Sequence, residues 1–244
     1  MKRLLMASIC ALWLVRAACA DTPGVLKKTE PAQIVTIPWN DLDDRVKLIA
    51  KQMMEKPTLV ARGPSETFAC MPEQYQWLLD NPDRAVTAWR RLGAKCVTIE
   101  RRAGGKFGYV DDAGSDVAWE VVHLSPGLRI WFAEGKVKPS AVLPVVPVKA
   151  MIILRHSDLK LPNGTTAVQH QSDVVIHTDS KVAATATKLM GQTAPKLAEQ
   201  GLGQLQLFFG ALSCYLERHP ERVESLFRPE TKEMKPQMNT DQHR

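Results

Sequence analysis

The sequence predicts an α+β domain in which an antiparallel meander of strands is followed by one long C-terminal helix. Three observations carry this. Between Lys95 and Thr178 the chain breaks into short segments rich in apolar, β-branched and aromatic residues, the signature of strands. The separators are short and made of turn formers, Ala103-Gly104-Gly105, Asp112-Ala113-Gly114, Ser125-Pro126-Gly127 and Pro162-Asn163-Gly164. Separators that short join antiparallel neighbours, because parallel strands need a far longer crossover. Near the end, Leu197, Gly201, Leu205, Phe208, Leu212 and Tyr215 recur every three to four residues, with Phe209 and Leu216 widening the stripe. That is the spacing of one buried helix face.

The chain opens with Lys2 and Arg3, an apolar run from Leu4 to Val15, and the small residues Ala17, Ala18, Cys19 and Ala20. This pattern predicts a secretory signal peptide over residues 1–20, cleaved before Asp21. A bilayer core needs about 20 apolar residues in a row, and Arg16 interrupts a run already shorter than that. No stable membrane anchor is therefore expected. A lipidated Cys19 would want an aliphatic residue where Arg16 stands, so the expected product is soluble and exported, periplasmic or extracellular. Loss of the leader removes Lys2, Arg3 and Arg16, so 32 basic residues become 29 against 26 acidic ones and the formal charge falls from +6 to +3. That field is too weak to argue for nucleic acid, and no Lys/Arg block interleaved with aromatics is present.

Residues 21–38, with Pro23, Pro31 and Pro38, read as an extended leader. Over residues 39–56, Trp39, Leu42, Val46, Ile49 and Met53 keep helical spacing, with Asn40 or Asp41 as the expected cap and Pro57 after the end. Thr58–Cys70 is β-like and interrupted at Gly63-Pro64. Met71-Pro72-Glu73 opens a short helix carrying Tyr75, Leu78 and Leu79, with proline in the first turn, where its missing N–H does no harm. After Asp80-Asn81-Pro82-Asp83, a second short helix carries Val86, Trp89 and Leu92 and stops at Gly93. Strands are expected at Lys95–Arg101, Lys106–Asp111, Asp116–Leu124, Leu128–Lys136, Val148–His156 and Thr165–Thr178. A weaker helical piece, Lys181–Met190, leads into the long helix, and the polar tail 229–244 is expected to be disordered.

Cys70, Cys96 and Cys214 remain after the leader is lost. They are neither a disulfide framework nor a metal site, because their number is odd and no two lie close in sequence. Two readings stay open, three thiols acting as small hydrophobes or one bridge between Cys70 and Cys96. No nucleophile elbow and no phosphate-cradling glycine loop occurs. His156-x-Asp158 and His177-x-Asp179 put a histidine and an acid on one side of a strand, and read as solvated strand ends. No catalytic residue, metal ligand or cofactor is assigned.

Strand, two short helices, an antiparallel meander, long helix: this order over about residues 57–219 resembles the helix-grip fold of the START-like superfamily, which includes Bet v 1-like proteins and polyketide cyclases. The stretch Pro72-Glu73-Gln74-Tyr75-Gln76-Trp77-Leu78-Leu79-Asp80-Asn81-Pro82, followed by Trp89, is similar to the segment that opens and separates the two short helices there. It also looks like a group of uncharacterised exported bacterial proteins. The resemblance implies a curved antiparallel sheet of about seven strands gripping the C-terminal helix. It assigns residues 57–228 to that domain and makes the 39–56 helix an addition. It further implies a space between sheet and helix for a hydrophobic small molecule or lipid. The residues expected to line it are Trp119, His123, Trp131 and Phe132 on the strands and Gly201, Leu205 and Phe208 on the helix. His123 enters because it follows Trp119 and Val121 on one strand face. Gly201, Gly203 and Gly210 cost a helix interior about 1 kcal/mol each relative to alanine, which asks for close packing or for room. Three functions follow: a binding or transfer protein, a cyclase-type enzyme on the same fold, or an interaction module with a filled pocket that uses the added helix and the Pro-rich loop Val137–Pro147.

Overall fold

The computed structural model describes residue 37 and residues 39–138, 144–181, 184, 185, 187, 191 and 193–228. The signal peptide, nearly all of the leader and the polar tail 229–244 lie outside the described residues, as does most of the 181–190 helical piece.

Eight strands form one antiparallel sheet, in the order β1 (Leu59–Arg62), β8 (Thr166–His177), β7 (Val146–Lys160), β6 (Leu128–Val137), β5 (Asp116–Ser125), β4 (Phe107–Val110), β3 (Glu100–Arg101). The eighth, β2 (Glu66–Ala69), also pairs with β8. Leu59–Arg62 runs against Ile176–Asp173, and Glu66–Ala69 runs against His170–Ala167. The strand predicted over Thr58–Cys70 is therefore one edge strand broken in two, which is why eight strands stand where about seven were expected. The break has a cause. A side chain on Gly63 would run into Gln206 of the long helix, and the Gln206 amide donates to the Pro64 carbonyl at 2.8 Å.

Helices cover both faces of the sheet. On one face lie α2 (Pro72–Asp80), α3 (Pro82–Arg91) and the long helix α4 (Thr193–Arg218). Their core joins Tyr75, Leu78, Val86 and Trp89 to Trp131, Leu154 and Val168 of the sheet and to Phe208, Phe209 and Leu212 of α4. The short α5 (Val223–Phe227) closes this side through Leu226. This is the curved antiparallel sheet gripping a C-terminal helix that the sequence predicted. On the other face, α1 (Asp44–Glu55) lays Val46, Ala50 and Met53 over Ile130, Phe132, Met151, Ile153 and Val175. The added helix is thus the cover of the sheet's back. With both faces covered there, β6, β7 and β8 each carry an uninterrupted apolar stretch, Ile130–Ala133, Ala150–Leu154 and Val174–Ile176.

Several boundaries move for local reasons. Asp43, not Asn40 or Asp41, caps α1, its carboxylate accepting from the Val46 N–H at 2.8 Å. Asp41 instead ends a 3-10 turn over Trp39–Asp41. The strand expected over Lys95–Arg101 shrinks to Glu100–Arg101, because Ala94, Cys96 and Ile99 are drawn onto the helical core.

Candidate functional site

The helix-facing side of the sheet carries a polar cluster embedded in the apolar core. Nine-residue α2 points Tyr75, Leu78 and Leu79 inward, and Gln76 and Asp80, four apart, share a neighbouring face. Tyr75 is 1% exposed, and its hydroxyl lies 2.6 Å from Nδ1 of His170 on β8. Burial drives the Tyr75 pKa far above the ordinary phenol value, so the phenol keeps its proton. Nε2 of the same ring faces Glu66 Oε2 of β2 at 3.7 Å. A carboxylate, an imidazole and a phenol thus stand in line.

Beside them, the Gln76 amide donates to Nε2 of His156 at 2.9 Å. Burial lowers the His156 pKa, Asp158 opposes it, and Arg129 and His170 add to the lowering. His156 is therefore part of the interior cluster, not the solvated strand end its spacing predicted. Arg129, on β6, has a side chain only 1% exposed. Its Nη2 donates to Asp80 Oδ1 at 2.6 Å, and its guanidinium lies 5.7 Å from the Trp131 ring. Nε and Nη1 are buried without an acceptor.

An apolar strip runs past this cluster on the same side of the sheet. In register, Phe107 lies opposite Trp119, Trp119 opposite Ala133, Val121 opposite Trp131 and Leu124 opposite Arg129. The Phe107 and Trp119 rings stack at 6.1 Å. Val121 is 43% and Leu124 57% exposed, while α4 packs over β1, β2 and β8 at the other edge.

The structure brings together some of the predicted lining residues. Trp119, Trp131, Leu205 and Phe208 all belong to or pack against the helix-side core. Phe208 sits between Trp89 and Phe209, and its carbonyl accepts from the Trp89 indole at 2.8 Å. A methyl added at Gly201 would meet nothing within 4 Å. The other two residues lie elsewhere. Phe132 alternates with Trp131 and packs beneath α1 on the back of the sheet. His123 is displaced by a β-bulge: Val122 is the extra residue, so His123 pairs with Ile130, a back-face residue, and bonds Ser125 Oγ at 3.1 Å. Alternation from Trp119 holds to Val121 and then fails.

Sequence reasoning missed Arg129, Tyr75, His170 and Glu66. One signal was present: Arg129 interrupts the apolar run Leu128–Phe132, and charged residues are almost never fully buried unless paired. No disulfide joins Cys70, Cys96 and Cys214 to one another, so the Cys70–Cys96 bridge does not form. Burial, then the nearby Cys214, pushes the Cys70 thiol up to about 12. Among the described residues, no group of three or more His, Cys, Asp or Glu could hold a metal ion, and no helix is long and apolar enough to cross a membrane. A separate cleft of about 340 Å³, lined by Met53, Lys56, Lys149, His177 and Asp179, opens at the end of α1.

No protein-family model and no curated protein matches the chain. Among solved structures, a conserved protein from Geobacillus kaustophilus is 15% identical, with a TM-score of 0.42, over 65% of this chain and 97% of that one. A hypothetical protein from Helicobacter pylori is 10% identical, with a TM-score of 0.40, over 76% and 99%. A truncated norcoclaurine synthase from Thalictrum flavum is 12% identical, with a TM-score of 0.34, over 61% and 93%. The fold rests on the strand order and helix placement themselves, not on these likenesses.

Proposed function

We propose that the protein binds a hydrophobic small molecule or lipid on the helix-facing side of its sheet. The observation that supports this is the open strip of Phe107, Trp119, Val121 and Leu124, which leads to polar groups buried in the core. An apolar surface with a few convergent polar groups is the usual composition of a small-molecule site. Native mass spectrometry and solvent extraction of the purified protein test the reading, together with titration of the neutral fluorophore N-phenyl-1-naphthylamine. A co-purifying apolar molecule, or probe binding weakened by Val121→Asp, supports it. Neither a bound molecule nor probe binding in the wild type would sink it.

A second reading, an enzyme of the cyclase type, is favoured by the Glu66–His170–Tyr75 cluster, which sets titratable side chains into the helix-side core. Turnover of the extracted molecule, lost in Tyr75→Phe, distinguishes it from simple binding. The interaction-module reading loses one of its two expected surfaces, because α1 has its apolar face against the sheet. We further propose export with cleavage before Asp21. N-terminal sequencing of protein expressed from the full chain tests this, and a mature protein beginning at Met1 would refute it.

A further inference from the structure

Arg129 stands out as a buried charge whose hydrogen-bonding capacity is mostly unused. A guanidinium has five N–H donors and no acceptor. The side chain is 1% exposed, and the one carboxylate it reaches is that of Asp80, which is 55% exposed and meets Nη2. Gln76 Oε1 is a weak further partner at 3.5 Å, again on Nη2. Nε and Nη1 have no acceptor among the described residues. A buried charged donor left unsatisfied is costly, and the neighbours have little to give. Neither the Tyr75 hydroxyl nor the His156 ring meets Nε or Nη1: the first pairs with His170 Nδ1 and the second with the Gln76 amide. The charge is also felt around it: Arg129 lowers the pKa of both Tyr75 and His156.

The position of this group matters as much as its deficit. Leu124 lies directly opposite Arg129 in the sheet, and Val121 opposite Trp131. An apolar body resting on that strip would lie one strand from Arg129, and its end would reach Nε and Nη1 once the side chains that bury them give way. Resting on the binding reading above, we propose that Arg129 is the headgroup site and that the ligand is an amphipathic acid whose carboxylate it receives. A carboxylate brings acceptor oxygens and a single negative charge. A phosphate monoester would bring up to a second charge into a place that holds one guanidinium already shared with Asp80.

The test is displacement of N-phenyl-1-naphthylamine by dodecanoate, dodecanol and dodecyl phosphate at about pH 8, where the carboxylate is ionised. Dodecanoate should displace the probe from the wild type at a concentration about tenfold or more below that of dodecanol, as a charge-assisted hydrogen bond allows. Arg129→Met, which keeps the side chain's length, should erase that preference by weakening dodecanoate alone. Arg129→Lys should keep part of it. Equal displacement by acid and alcohol in the wild type would overturn the proposal while leaving the binding reading intact. Dodecyl phosphate acting well below dodecanoate would overturn the carboxylate assignment. Absence of probe binding to the wild type would remove the binding reading and this proposal with it. Should Arg129→Met not fold, the wild-type series and Arg129→Lys decide, an unchanged preference in Arg129→Lys counting against a fork of guanidinium donors as the receptor.

Discussion

The three glycines of the long helix were one puzzle in the sequence, and the packing of α4 gives two of them opposite roles that a pair of mutants can separate. A methyl placed on Gly210 runs into the ring of Phe68, whereas one placed on Gly201 meets nothing within 4 Å. Replacing glycine by alanine inside a helix gains about 1 kcal/mol from backbone entropy at either position. At Gly201 nothing opposes that gain, so Gly201→Ala should stabilise by about 1 kcal/mol. At Gly210 the Phe68 ring is held edge-on to His170, with centroids 5.0 Å apart, and His170 is itself tied to Tyr75. The ring cannot retreat freely, and overpacking of a tight contact costs about 1–3 kcal/mol. The net at Gly210 then runs from no change to about 2 kcal/mol of destabilisation, so the two mutants should differ by about 1–3 kcal/mol. Urea denaturation read by circular dichroism measures this, with the denaturant slope unchanged if both alter stability alone. Equal stabilisation at the two positions would show that α4 does not press on β2 at Gly210, and the grip itself would be in question.

Phe208→Ala should cost about 3–5 kcal/mol, because a buried aromatic wedged between Trp89 and Phe209 is removed; a loss below about 1 kcal/mol in the same denaturation assay would place that ring outside the core. His156 makes acid sensitivity readable. Burial holds its folded pKa below the ordinary 6.5, so the unfolded chain takes up the proton first, and stability falls as pH drops from 6.5 through the folded value. The wild-type urea midpoint should therefore fall more than that of His156→Asn between about pH 7.5 and about pH 5, and equal falls would refute the burial of His156. Asp173→Ala should cost about 3 kcal/mol by leaving Arg62 and Arg155 without their shared carboxylate; a loss within about 0.5 kcal/mol would mean that the clamp is not formed in solution.

Much of this architecture is legible in the sequence because local rules and tertiary packing agree there. Pro72 and Pro82 each open a helix in the structure as their residue type requires, and the turn formers sit between the strands they were expected to separate. The stripe from Leu197 to Leu216 is one helix whose buried residues include Phe208, Leu212 and Leu216. The side of the sheet on which a given residue lies was harder. A meander does not say which face the helix grips, and Trp131 and Phe132 are adjacent, so one of the two had to face away. His123 failed for a different reason. A bulge adds one residue without any composition signal, and every residue beyond it changes face. The polar cluster was illegible because its members come from β2, α2, β6, β7 and β8, and only the fold brings Glu66, Tyr75, Arg129, His156 and His170 together.

The two faces of the sheet treat buried charge in different ways, and the contrast bears on the site. Asp173 on the α1 side is fully buried, yet one oxygen accepts from Arg62 and the other from both Arg62 and Arg155, and those arginines are 28% and 34% exposed. The interior charge is matched on both oxygens, and its partners reach water. That clamp joins the edge strand β1 to β7 and β8 and leaves neither carboxylate oxygen without a donor. Arg129 on the helix side is the reverse: the interior group is the donor, its single carboxylate partner faces solvent, and Nε and Nη1 stay unmatched. If burying a charge served only to fix strand register, the Asp173 arrangement would be the economical solution on either face. The face with the unsaturated charge is also the one whose apolar strip is uncovered at Val121 and Leu124. An unmet polar demand beside an unmet apolar one is what a single amphipathic molecule satisfies.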